Sequence, residues 1–186
     1  MWVEICRRIL ALFLIGIVIK LLDNEVDEDS RNEYTIGILN EIEQYKFPYS
    51  LIILTFAMLL DKEYSFGLFS SAYMIGMFNF INRKLPLKIK SYQEIIILII
   101  INLISISHKV FIHSFVIIIL IQMLDDLLDI KYDSAYGYFN FANKYGIGEV
   151  LIISVILITA SLMISSVNTV LILSTWFFIN YLYSRG

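Results

Sequence analysis

Apolar runs long enough to become membrane helices recur along this chain with only short polar breaks between them, and that leaves few folds open. Seven can be drawn: Trp2–Leu22, Phe47–Leu60, Ser65–Asn82, Tyr92–Ser107, Val110–Ile130, Ile147–Ser165 and Val167–Tyr183. Hydrophobic residues make up 59% of the chain and charged ones 17%, and mean hydropathy is +0.77, a balance wrong for a soluble globule. The pattern predicts an all-α polytopic membrane bundle of about seven transmembrane helices, in one domain over residues 1–186. Phe47–Leu60 is short for a crossing and needs Tyr45, Lys46 and Lys62 to reach for the interface at its ends. Trp2–Leu22 carries Arg7 and Arg8 before an apolar core, as a signal peptide does. No small-residue cleavage site follows, so it is expected to be retained. The net charge of −3 gives no footprint for nucleic acid, and the single Cys6 excludes an internal disulfide or a cysteine-based metal site.

The fifth run ends in acid. Gln122, Asp126, Asp129 and Asp133 are spaced four, three and four apart, which stacks them on one helical face. Like charges so spaced repel by a few tenths of a kcal/mol per pair, and a carboxylate at the bilayer centre costs about 2.5–3.5 kcal/mol. A cation that offsets this cost is expected, and magnesium, a hard ion that prefers carboxylate oxygen, fits the chemistry. The first run ends similarly: Gly16, Lys20, Asp23 and Asp27 share a face with the same spacing, inside an acidic stretch that also reads as a solvated helix end.

If every run crosses, four crossings separate Asp23 from Asp129, and both acidic ends emerge on one side. Arg31, Lys46, Arg83, Lys84, Lys88, Lys90, Lys131, Lys144 and Arg185 fall on that side, which marks it as cytoplasmic; Lys62 and Lys109 fall opposite. Arg7 and Arg8 also fall opposite and argue against this orientation.

Two facing carboxylate clusters would hold magnesium ions, and those ions a diphosphate. The metals would neutralise charge on a departing diphosphate. Arg83, Lys84 and Lys88 lie in a basic loop that would grip the phosphates, or that simply follows the positive-inside bias. An apolar site of this kind suggests an isoprenoid diphosphate, whose ionisation gives a carbocation that aromatic faces stabilise. Phe66, Phe69, Tyr73 and Phe80 form one stripe that would line such a cavity or simply pack. Gln122, one turn deeper than Asp126, would orient a carboxylate or a substrate oxygen, or simply satisfy an intrahelical hydrogen bond. His108 and His113 have no His/Cys partner set and read as structural.

The run Asp126-Leu-Leu-Asp129-Ile-Lys-Tyr-Asp133-Ser-Ala-Tyr-Gly137, followed by Asn140 and Lys144-Tyr-Gly146, resembles the second aspartate-rich motif of UbiA-type intramembrane prenyltransferases. Asp23-Asn-Glu25-Val-Asp27 resembles the second half of that family's first motif, Asn-Asp-x-x-Asp-x-x-x-Asp, with Ile19 and Lys20 at the leading Asn and Asp positions. The seven runs would correspond to the family's second through eighth helices. The Arg-Pro signature usual after the first motif is absent from 31–46. The resemblance implies a helical bundle around a lipid-open cavity, with magnesium-dependent transfer of a prenyl group to an aromatic or lipid acceptor. On that basis Asp23, Asp27, Asp126, Asp129 and Asp133 are the expected metal ligands. Asp126, Asp129 and Lys20 would be catalytic, Lys20, Arg83, Lys84 and Lys88 would meet diphosphate, and Phe69, Tyr73 and Gln122 would line the cavity. The protein would sit in the cell membrane with the mouth of its site facing the cytosol. An intramembrane terpene cyclase, a non-enzymatic divalent-cation binder or transporter, and an inactive homologue with Lys20 in place of a ligand are the alternatives.

Overall fold

The computed structural model describes residues 2–26, 45–78, 90–137 and 139–184. Every regular element among them is a helix: α1 (Trp2–Val26), α2 (Lys46–Leu60), α3 (Lys62–Phe78), α4 (Ser91–Ser105), α5 (His108–Leu128), α6 (Ile130–Tyr136), α7 (Phe141–Tyr145) and α8 (Ile147–Ser184). Two of them, α5 and α8, are long and apolar enough to cross a membrane. The helices fall into two compact units, one of Met1–Ser70 with Val170–Gly186 and the other of Ser71–Thr169.

In the first unit α1 packs along α2. Ala11, Ile15 and Val18 recur at helical spacing on α1 and are buried, with Leu12 and Leu21 beside them. Asp61 ends α2 and starts α3: its Oδ1 accepts the Tyr64 N–H at 3.2 Å, and its Oδ2 takes the Nε hydrogen of Arg8 at 3.0 Å. The Arg8 guanidinium also lies 5.5 Å from the centre of the Tyr64 ring. Asp61 explains why α3 begins at Lys62 and not at the expected Ser65. Hydropathy marks apolar length, whereas a helix begins where a side chain can take up its first free N–H groups. Likewise α1 runs to Val26, past the expected Leu22, because a charged residue ends apolarity without ending a helix.

In the second unit, α8 has one residue in extended conformation, Ser165 (φ −160°, ψ 93°). The Asn168 amide donates to Ser165 Oγ at 2.8 Å and the Thr169 hydroxyl to the Ser165 carbonyl at 2.8 Å, so side chains of the following turn hold the residue at the break. This is the boundary expected between Ile147–Ser165 and Val167–Tyr183. Met123, Ala142 and Val150 form a small core with Leu127, Ile130, Phe141 and Leu157 packed on it.

Beside these apolar cores, several polar side chains lie inside the units and many large apolar ones outside. Asn102, His113, Ser114, Ser161 and Thr169 are fully buried, while Ile104 is 81% and Met163 84% exposed. So much exposed apolar side chain is uncommon on a water-soluble globule.

Candidate functional site

The acidic end of α5 is a corner rather than one straight face. Asp129 leaves helical geometry (φ −97°, ψ 11°), closing α5 and opening α6. Hydrogen bonds run on through the junction, from Asp129 N–H to the Asp125 carbonyl and from Asp133 N–H to the Asp129 carbonyl, each at 2.9 Å. The expected stacking of Gln122, Asp126, Asp129 and Asp133 on a continuous helix is therefore interrupted at its third member. α6 stops at Gly137, whose φ of +74° closes it in the left-handed conformation that costs glycine least. The chain then returns through Asn140 into α7.

Asn140 gathers the corner. One amide hydrogen goes to the Asp126 carbonyl at 2.7 Å and the other to Asp133 Oδ2 at 2.6 Å, while its Oδ1 accepts the Asn143 N–H at 3.1 Å and caps α7. The Asp126 carboxylate points into this return: Oδ2 accepts the Phe141 N–H at 2.7 Å, and Gln122 Nε2 lies 3.4 Å from Oδ1. Asn143 also donates to the Ile130 carbonyl at 3.3 Å. Asn140 and Asp126 are buried, whereas Asp129 and Asp133 are partly exposed. Lys144 extends over the rings of Phe139 and Tyr145, 5.1 Å from each centre.

The corner brings together Gln122, Asp126 and Asp133 of the residues expected from sequence. Lys20 and Asp23 lie near the end of α1, in the first unit. Asp27, Phe80, Arg83, Lys84 and Lys88 lie outside the described residues, as does the side chain of Asp23. Tyr73 is exposed and donates its hydroxyl to Glu94 Oε2 at 2.9 Å, tying α3 to α4. Phe69 is partly buried on α3. An apolar groove of about 510 Å³ lies in the first unit, lined by residues including Cys6, Phe13, Thr175 and Phe178, and contains none of Phe69, Tyr73 and Gln122. His113 is buried on α5, 2.9 Å from the Thr169 hydroxyl.

Among the described residues no three His, Cys, Asp or Glu side chains converge as a metal-holding group. Magnesium seldom uses such a cage: one or two carboxylates suffice when phosphate oxygens and water complete its shell. Asp129 and Asp133, partly exposed at the corner, fit that role. Asp126 fits it poorly, with its oxygens turned inward.

Sequence reasoning gave Asn140 no structural role. The signal for one was there: an Asn three residues before a second Asn, between Gly137 and Gly146, is the pattern of a capped short helix after a turn. No protein-family model, curated protein or solved structure matches the chain.

Proposed function

We propose that this chain is an integral membrane prenyltransferase, using magnesium to transfer a prenyl group from an isoprenoid diphosphate to an aromatic or lipid acceptor. The reading also takes the seven apolar runs as a bundle in the cell membrane, with the acidic corner toward the cytosol. One observation carries it: a membrane-length helix, α5, ends in a carboxylate corner whose parts are pinned by buried and partly buried hydrogen bonds rather than left as a solvated run. Asp129 and Asp133 would hold magnesium there, and the ion would take up the charge of the departing diphosphate. Asn140 holds Asp133 by Oδ2, and Asp133 Oδ1 has no hydrogen bond among the described residues. The aromatic side chains Tyr136, Phe139 and Tyr145, all exposed around the corner, suit the headgroup level of a bilayer.

Two features support the orientation. Lys131 and Lys144 lie beyond the acidic end of α5, against Lys109 at its other end. Arg8, counted against a cytosolic corner, is paired with Asp61. That pairing weakens its pull on topology, since its charge is offset locally.

Purified protein in detergent with magnesium is expected to release diphosphate from geranyl, farnesyl or geranylgeranyl diphosphate. Asp129→Ala and Asp133→Ala should each lower that release at least tenfold, about 1.4 kcal/mol of barrier, while the protein stays folded. If wild-type protein releases no diphosphate from any of the three, the proposal is wrong.

A further inference from the structure

Asp126 stands at an expected ligand position, yet at 6% exposure its carboxylate is turned into the protein. Its Oδ2 is taken by the Phe141 N–H, and its backbone carbonyl by Asn140. Asn140, 2% exposed, uses both amide hydrogens and its carbonyl oxygen on three different targets: the end of α5, the side chain of Asp133 and the first turn of α7. Such a residue has no donor left for a ligand, and three bonds to three elements fix geometry.

We infer that Asp126 and Asn140 are positioning residues: together they clamp α7 onto the end of α5 and set the direction of the Asp133 carboxylate, and Asp126 is not itself a metal ligand. The inference rests on reading the corner as the diphosphate end of the site. It separates two properties of Asp126. A ligand needs the negative charge, whereas the clamp needs only an oxygen that accepts the Phe141 N–H. Asparagine keeps the oxygen and loses the charge; alanine loses both.

Hydrogen exchange of the α6 and α7 amides in detergent reads the clamp without any activity. Asn140→Ala and Asp126→Ala should speed exchange there roughly tenfold, the loss of about one buried hydrogen bond, while Asp126→Asn stays within about twofold of wild type. The second readout is the rise in Tm caused by magnesium with farnesyl diphosphate. Asn140→Ala should raise the magnesium concentration giving half that rise several-fold, by misdirecting Asp133. Asn102→Ala removes a buried amide that donates to the Leu98 carbonyl in α4, away from the corner, so it should lower Tm and leave the midpoint alone. Asp126→Asn should also keep the midpoint.

Fast exchange in Asp126→Asn would overturn the clamp. Slow exchange in Asp126→Asn with the magnesium response abolished would make Asp126 a ligand and overturn the other half. A wild-type protein that gives no rise at all counts against the prenyltransferase reading instead, and the exchange rates then decide the clamp by themselves.

Discussion

Thr169 has one hydroxyl hydrogen, and it goes to the carbonyl of Ser165. Its contact with His113 at 2.9 Å must therefore run the other way, with Nε2–H of the ring donating to Thr169 Oγ1. One side chain thus bonds the carbonyl of the residue at the break in α8 and a ring N–H in a fully buried position. Thr169→Val keeps the shape and removes both hydrogen bonds, each worth about 0.5–1.5 kcal/mol. Thr175→Val serves as the control, because that hydroxyl donates to the Ile172 carbonyl in its own helix. Unfolding in mixed micelles should show a loss of at least about 1 kcal/mol for Thr169→Val and a smaller one for Thr175→Val. Equal losses would mean that His113 takes nothing from Thr169. Neither His113 nor Thr169 announces this contact in sequence, since 56 residues separate them and no periodicity links the two.

The helices show what spacing can and cannot predict. Apolar length placed α2, α4 and α5 within about two residues, because a long run of Ile and Leu has few alternatives to a helix. The gap between the last two runs was legible as well, and Ser165 is the residue that breaks the helix there. A continuous helix of 38 residues would be about 57 Å long, nearly twice the hydrocarbon core of about 30 Å. The short α6 and α7 went unseen, because at seven and five residues they have no usable period and owe their existence to Gly137 and Asn140. Glycine carries opposite meanings in these elements. Gly137 has a positive φ, so Gly137→Ala should cost about 1–2 kcal/mol, the left-handed penalty of a side chain. Gly76 lies within α3 with nothing near a new Cβ, so Gly76→Ala should gain about 0.5–1 kcal/mol. Chemical unfolding of the two variants tests the sign of each.

At the scale of the molecule, the membrane reading depends on α5 crossing. Its 21 residues measure about 32 Å, matched to a hydrocarbon core of about 30 Å. Lys109 sits at one end, and the acidic corner with Lys131 at the other. The exposed apolar side chains, Ile112 among them, would then face lipid, and the buried His113 and Ser114 would face the protein, which accounts for the exposed apolar surface without invoking aggregation. Cysteine labelling in intact cells tests this directly, once the exposed native Cys6 is replaced by serine. A membrane-impermeant maleimide should modify Lys109→Cys from outside. It should reach Lys131→Cys only after the membrane is opened, because the proposed orientation puts Lys131 and Lys144 at the cytosolic end. The reverse pattern would keep the crossing and turn the carboxylate corner to the exterior, where a cytosolic diphosphate could not reach it, so the enzyme reading would fall while the fold stood. Labelling of both positions from one side would mean that α5 does not cross. The apolar exposure would then need a protein partner rather than lipid to cover it.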